Sequence, residues 1–427
     1  MQSVTLWRAL LGLEKTVVEG IEFDEDEELL VARVRPRARA RGRCGRCGRR
    51  SPAYDRGEGR RRWRALDLGT IQVVLEADAP RVNCPDHGPT VAAVPWARHA
   101  AGHTLVFDQQ VAWLATQCSK SAVTQLMRIA WRTVGSIISR VWADIASEVD
   151  LFAGLRRIGI DEISYKRNHK YLTVVVDHDT GRLVWVAAGR DRATVHRFFD
   201  ALGAERCAQI THVSADGANW IASVVAQRCP QAVRCADPFH VVKWATDALD
   251  EVRRQAWNTA RGDVTAHRAR RSRGRGVRAT GHARDLKHAR FALWKNPENL
   301  TTRQHAKLAW IAKAEPRLHR AYLLKEALRL VFQLPYDEAV DALDAWIVWA
   351  RRCRIGVFVK LQRSIVAHKT AILAAIEHGL SNGLIESVNT KIRLITRMAF
   401  GFAKPDALIA LAMLNLGGHR PHLPSRR

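Results

Sequence analysis

Apolar and polar positions along the chain fall into successive regimes. Over residues 29–37, LLVARVRPR, they alternate, which predicts a half-solvated strand, and IQVVLEA at 71–77 predicts a second. Over 104–149 the period becomes helical, with helices near Val106–Gln117, Ser121–Ile129 and Arg132–Val149. Ser119 or Ser121 is placed to cap the second of these. The short joint between the second and third suits a helix-turn-helix, and equally a plain helical linker. From Arg156 short apolar runs return. RRIGIDEI, KYLTVVVDH and RLVWVAAG predict three strands, the last two joined as a hairpin whose turn holds Asp177 and Asp179. A helix over 191–203, a strand in CAQITHVSAD, a helix in ANWIASVVAQRC, a strand in AVRCAD and a helix from Pro238 follow. Helices threaded between strands imply an α/β sheet with helices on its faces.

Residues 256–380 carry no strand pattern. Leu, Trp and Ala recur at helical spacing in LLKEALRLVF and AVDALDAWIVWARR, so a helical insertion is expected. The Arg/Gly run RARRSRGRGVR, between Arg253 and Arg290, reads as a mobile or DNA-contacting loop. HGLSNGLIESVNTKIRLITRMAFGF predicts a strong helix, and GGHRPHLPSRR a flexible tail. There is no internal repeat. The expected divisions are a DNA-binding domain over 1–103, the helical group over 104–150, an α/β core over 151–255, the insertion over 256–380, a returning core helix over 381–416 and a tail over 417–427.

Charge sharpens this picture. The 427 residues include 68 Lys and Arg against 42 Asp and Glu, a formal +26. Such an excess calls for a polyanion, and its clustering from Arg33 to Arg64 suits phosphates better than mere solubility. No apolar run approaches the ~18 residues of a membrane span, and the N-terminus lacks the pattern of a secretory signal. Eight cysteines in a chain of this length form no dense disulfide framework, so a reducing, cytoplasmic setting is expected.

Two acids stand out by position. Asp161 is read at the end of the first core strand, and Asp216 just after the fourth, in SADGAN. Strands one and four can lie side by side, which would bring both acids to one sheet edge, where open sheets present their sites. Glu386 opens the helix after SNG. Two or three converging carboxylates suit magnesium or manganese in phosphodiester chemistry. Each acid also has a plainer reading as a turn former or helix cap. Rivals are Glu162, Asp177 and Asp179 in the hairpin turn, Asp191 at a helix start, and Asp237, which precedes Pro238 and suits a cap.

The segments IGIDEISYKRNHKYLTVVVD, SADGANW, CADPFHVVK and SNGLIESVNTKIRLITRMAFGF resemble insertion-sequence transposases of the ISL-three family. The resemblance covers most of the chain. It implies an RNase H-like catalytic core interrupted by a helical insertion, with Asp161, Asp216 and Glu386 as an Asp-Asp-Glu triad binding magnesium or manganese. It implies cleavage at the ends of a mobile element and joining of the freed 3′-hydroxyl to target DNA, by a homodimer or larger assembly. Asn389 and Arg393 share a helix face with Glu386. With His240, similar to a family histidine, and with Arg132 and Arg140, they are the DNA-contact candidates. Two other classes compete: a non-catalytic DNA-binding regulator derived from such an enzyme, and another RNase H-like nuclease.

The cysteines add a second centre. Cys44 and Cys47 form CGRC, and Cys84 and His87 form CPDH, each beside a glycine turn. This spacing suits a structural, tetrahedral zinc ribbon. The family usually offers Cys at the last position, so His87 departs from it, and His99 and His103 stand as substitutes. Cys118, Cys207, Cys229, Cys235 and Cys353 lack ligand spacing and read as core.

Overall fold

The computed structural model describes residues 2–166, 168–215, 219–270 and 281–424. The chain divides into two compact units, 1–151 with 392–427, and 152–391.

The first unit opens with α1 (Gln2–Leu10), which the sequence reading did not foresee, followed by β1 (Thr16–Asp24) and β2 (Leu29–Pro36). Next come β3 (Ala53–Asp55), β4 (Arg60–Arg64), β5 (Gln72–Asp78), β6 (Arg81–Cys84) and β7 (Gly88–Val91). Two sheets result, β1-β2-β5-β4 and β3-β6-β7. The alternation seen at 29–37 is real. Leu30, Ala32 and Val34 turn into a core with Val73, Leu75, Trp63 and Trp96, while Arg33 and Arg35 face outward to Glu22 and Glu19.

Three helices follow, α2 (Leu105–Gln117), α3 (Lys120–Met127) and α4 (Trp131–Glu148). Thr104 Oγ1 accepts from Phe107 N–H at 3.2 Å and Ser119 Oγ from Ala122 N–H at 3.2 Å, so each entering residue satisfies an otherwise orphan helix donor. Of the two serines considered, Ser119 is the cap. The helices bury Phe107, Val111, Val123, Val134, Ile137 and Ile138 completely.

The second unit is built on β8 (Arg157–Lys166), β9 (Lys170–Asp177) and β10 (Leu183–Ala188), then α5 (Arg192–Leu202), α6 (Ala204–Cys207), β11 (His212–Ala215), α7 (Asn219–Arg228) and β12 (Val233–Ala236). The sheet order is β10-β9-β8-β11-β12. The first three strands run antiparallel, and β8, β11 and β12 run parallel. Ile158, Ile160 and Val213 pack on one face against Phe198 and Phe199 of α5 and Ile221, Val224 and Val225 of α7.

The helical part comprises α8 (Pro238–Arg270), α9 (Gly281–His288), α10 (Arg290–Trp294), α11 (Thr302–Ala314), α12 (Pro316–Val331), α13 (Tyr336–Arg352), α14 (Gly356–Ala367) and α15 (Lys369–Glu377). These bury a long apolar core from Val241 to Ile372. Of the run RARRSRGRGVR read as a loop, the described residues 268–270 end α8. Arg253 lies within α8, paired with Asp250 at 2.8 Å, and the division read at 255/256 falls inside that helix. The centre of the Arg/Gly run, 271–280, lies outside the described residues.

The single helix expected over 381–416 is two: α16 (Gly383–Met398) and α17 (Pro405–Leu416). Phe400 and Gly401 between them take left-handed backbone, at φ 49° and 93°, and Pro405 starts the next helix. α17 is no part of the α/β core. It packs on α4 of the first unit, where Ala407 meets Gly135. Of the residues read as a flexible tail, His419, Pro421 and Leu423 line a cavity together with Val141 and Ile145 of α4, and Pro421 is buried.

Candidate active site and cysteine-histidine cluster

Asp161 is not at a strand end. It sits inside ten-residue β8, midway along the strand. β11 pairs with β8 from His212↔Arg157 to Ala215↔Ile160, so the last described residue of β11 stands opposite the residue before Asp161. On its other side β8 pairs with β9, with Asp161 opposite Val174. Asp216 is the residue after Ala215 in the sequence, and it lies outside the described residues.

Alternation decides which way Asp161 faces. Ile158 and Ile160 enter the α5/α7 core, so Gly159 and Asp161 take the opposite face. There Cys235 of β12 packs under Ala374 and Ala375 of α15, and α16 follows. Asn389 of α16 donates from Nδ2 to Asp161 Oδ2 at 2.7 Å, across 228 residues of sequence. Asn389 is only 2% exposed, and its Oδ1 is buried without a hydrogen-bond partner among the described residues. Glu386 lies one turn before Asn389 and is exposed, as is Arg393 two turns after Glu386. The structure therefore brings α16, the bearer of Glu386, to the strand that bears Asp161. It places Asn389 beside the acid rather than on an open surface.

A second link fixes the start of α16. Asp237, 3% exposed, accepts at Oδ2 from His240 Nδ1 at 2.6 Å and from His240 N–H at 3.2 Å, which caps α8 as expected. Its Oδ1 accepts from the N–H of Asn382, 145 residues away, at 3.1 Å. Asn382 is also the residue whose carbonyl receives the Glu386 N–H, at 2.8 Å. Burial pushes the Asp237 carboxyl up, but hydrogen bonds from His240 and Asn382 outweigh it and hold the group below its usual range. With both oxygens engaged, Asp237 is a clamp rather than a free acid. His240 is its partner.

The other acids weighed as rivals are also occupied. Glu162 pairs with Arg190 at 2.6 Å, and Arg190 in turn lies over the Tyr171 ring. Asp177 and Asp179 form the hairpin turn, with Asp179 N–H donating to Asp177 at 2.9 Å. Asp191 caps α5 through Thr194 N–H at 2.7 Å.

Sequence reasoning missed a histidine here. His178 Nε2 and Ser214 Oγ stand 2.8 Å apart over Gly159, on the face that carries Asp161. A Cβ at Gly159 would meet His178 Nε2 at 2.9 Å, so a larger residue there would displace the His178 ring. Burial, then the Arg157 charge, holds His178 below its ordinary value, and the pair is neutral near pH 7. The one available signal was a His directly after the alternating run of β9.

The donor set suits a hard divalent cation. Asp161 and Glu386 offer carboxylate oxygens, and the unpartnered Asn389 oxygen lies buried on the same helix.

In the first unit, Cys44, Cys47, Cys84 and His87 converge, with all four ligand atoms within 4.8 Å of one another. Cys47 Sγ to Cys84 Sγ is 3.7 Å, Cys44 Sγ to His87 Nδ1 is 3.8 Å, and Cys84 Sγ to His87 Nδ1 is 3.6 Å. Tetrahedral zinc at its usual bond lengths spaces two sulfurs ~3.8 Å apart and a sulfur and nitrogen ~3.6 Å apart, so the cluster fits the ion. Burial raises the Cys84 thiol, but hydrogen bonds from His87 and from the N–H groups of Asp86 and His87 bring it down to about 6, towards the thiolate that metals bind. The knuckle is tight: a Cβ on Gly45 would meet the Val91 carbonyl at 2.6 Å. His99 and His103 are outside the group among the described residues.

Of the remaining candidates, Arg132 is exposed at the start of α4. Arg140 is turned inward, sharing the fully buried Asp108 with Arg98, at 3.3 and 3.0 Å. No helix among the described residues is long and apolar enough to cross a membrane.

Three family models match this architecture in chain order. Residues 40–87, which contain the cluster, match the zinc-finger of transposase IS204/IS1001/IS1096/IS1165. Residues 92–142 match the helix-turn-helix domain of transposase family ISL3, which decides between the two readings of α2 to α4. Residues 158–412 match a family described as transposase. The chain is 65% identical over 437 aligned positions to the transposase for insertion sequence element IS1557 of Mycobacterium tuberculosis strains CDC 1551 / Oshkosh and H37Rv, covering 100% of this chain and 98% of that protein. It is 26% identical over 403 positions to the transposase for insertion sequence element IS1001 of Bordetella parapertussis, covering 93% and 94%.

Proposed function

Since the chain belongs to the ISL3 family of insertion-sequence transposases, enzymes that cleave DNA and transfer its strands, we propose that Asp161, Asp216 and Glu386 are its catalytic carboxylates. The observation that carries this reading is the Asn389–Asp161 hydrogen bond at 2.7 Å, which ties the Glu386 helix to the Asp161 strand. The strand order β10-β9-β8-β11-β12, antiparallel then parallel, supports an RNase H-like core.

Asp161 and Glu386, with Asp216, would hold magnesium or manganese. Such ions supply activation of the attacking oxygen and stabilisation of the leaving oxygen at phosphorus. Asn389 holds one oxygen of Asp161 in place, so the other is presented in a set direction. Asp237 fixes the turn from which α16 starts. Arg393, exposed two turns beyond Glu386, takes a DNA phosphate. The helix-turn-helix and zinc ribbon bind the terminal inverted repeats. Zinc is held by Cys44, Cys47, Cys84 and His87, and four protein ligands leave no open position, so its role is structural. Two ends must be held together for transposition, so a homodimer or larger assembly forms on DNA.

The test uses labelled element-end DNA, a target plasmid and Mg²⁺. Asp161→Ala, Asp216→Ala and Glu386→Ala should each abolish joining while end binding persists. Unchanged joining by any one of them would remove that residue from the triad.

A further inference from the structure

Many arginines of the N-terminal unit are held in ion pairs, and several are not. Around the sheets, Arg33, Arg35, Arg49 and Arg81 are matched by Glu22, Glu19, Asp86 and Asp55, all in exposed ion pairs. Arg60 and Arg62 share Glu76. A different set lines an open groove of about 830 Å³ between the first β-strands and the cysteine knuckle: Lys15, Arg37, Arg39 and Arg43. All four side chains are exposed, and among the described residues none is in an ion pair. Glu14 is the single acid on the groove wall.

These cations are presented by an ordered backbone. Arg37 N–H donates to the Lys15 carbonyl at 2.9 Å, which ties the start of β1 to the end of β2. Residues 38–40 make one tight turn, with Ala40 N–H on the Arg37 carbonyl at 2.8 Å. Arg41 folds back onto the Pro36 carbonyl at 3.0 Å, out of the way. The Arg43 carbonyl receives Ala93 N–H at 2.8 Å, which fixes the opposite wall. Four unneutralised positive groups on a rigid concave rim repel one another. Arg46, Arg50 and Arg56 are also exposed and outside the ion pairs among the described residues, but Lys15, Arg37, Arg39 and Arg43 share one concave wall, which suits an external anion.

We propose that this groove, rather than the arginine-rich sheet face, grips the phosphate backbone of duplex DNA for the N-terminal unit. This deepens the DNA-binding reading above and rests on it. The zinc knuckle then has a mechanical role. Arg43 directly precedes Cys44, so metal binding sets one wall of the groove.

The test is the salt dependence of binding to a terminal-repeat duplex and to an unrelated duplex. Each phosphate contact contributes about 0.9 to the slope of log affinity against log salt. A Lys15→Ala, Arg37→Ala, Arg39→Ala, Arg43→Ala variant should lower the slope by roughly 3 to 4 on both duplexes. A control with Arg33, Arg35, Arg49 and Arg81 changed to Ala loses the same charge and should keep most of the slope. Arg37→Lys, Arg39→Lys, Arg43→Lys should keep it too, which separates charge from packing if the alanine variant unfolds. An unchanged slope in the groove variant, or an equal fall in the control, overturns the proposal. A wild-type chain that binds neither duplex would instead overturn the DNA-binding reading itself.

Discussion

Replacing Asn389 by Leu isolates one hydrogen bond. The two side chains share one branched heavy-atom skeleton, though Leu is bulkier, and the exchange removes the Nδ2–H donor to Asp161 at 2.7 Å. It also removes a buried oxygen that has no partner, which by itself favours the variant slightly. A hydrogen bond to an ionised group is worth about 1.5–3 kcal/mol. At about 1.4 kcal/mol per tenfold, that is roughly 10- to 100-fold, the range also seen when a residue that orients a metal ligand is lost. If Asp161 is a metal ligand, the half-saturating Mg²⁺ concentration for end cleavage should rise by this factor. Direct Mn²⁺ binding, followed by electron paramagnetic resonance, should weaken in parallel while DNA affinity holds. Wild-type Mn²⁺ binding in the Leu variant would refute the orienting role, even if activity fell for another reason.

Other expectations follow from the same contacts. Asp237→Ala leaves the Asn382 N–H without its buried acceptor and removes the α8 cap, at about 1–3 kcal/mol by denaturant unfolding. Joining should fall more than end binding, and full joining would show that α16 does not depend on this clamp. Chelation, or His87→Ala, should release one zinc per chain, while His87→Cys should retain it because thiolate meets the same tetrahedral geometry; zinc content by mass spectrometry decides. Burial holds His178 and His103 below their ordinary value, so the unfolded chain takes up protons that the folded one resists. Their contribution is intact above about pH 6.5 and is lost as pH falls below it. Asp237, also held low, keeps its contribution above roughly pH 4 and loses it as pH falls further. The midpoint of thermal unfolding should therefore drop from pH 7 to pH 5, and a rise would contradict the assignment.

The sheet and the helix-turn-helix were readable because their cores obey simple periods. β2, β8 and β9 alternate or run apolar, and Ser119 announces α3. The adjacency of β8 and β11 followed from the helices threaded between strands. What periodicity could not convey was long-range pairing. Nothing local in SNG says that Asn382 meets Asp237, or in ESVN that Asn389 meets Asp161. Both contacts are single polar bonds between segments more than a hundred residues apart. The continuous pattern across 381–416 hid a break because the left-handed Phe400 breaks no period, and a phenylalanine rarely marks such a turn. Arg140 looked like a surface cation, and only the burial of Asp108 explains its inward turn.

The packing of α17 on α4 has a consequence for how the molecule is made. A ribosome releases α2, α3 and α4 long before Pro405 exists, so for most of its synthesis this bundle lacks the helix that covers α4. Leu408, Leu411, Met413 and Leu414 arrive after the whole α/β and helical part and finish the module that α2 to α4 began. A chain stopped short of residue 405 would carry every proposed catalytic acid and still leave an apolar strip of its DNA-reading bundle open to water, an invitation to chaperones and proteases. The molecule thus withholds a finished DNA-binding bundle until α17 has been made.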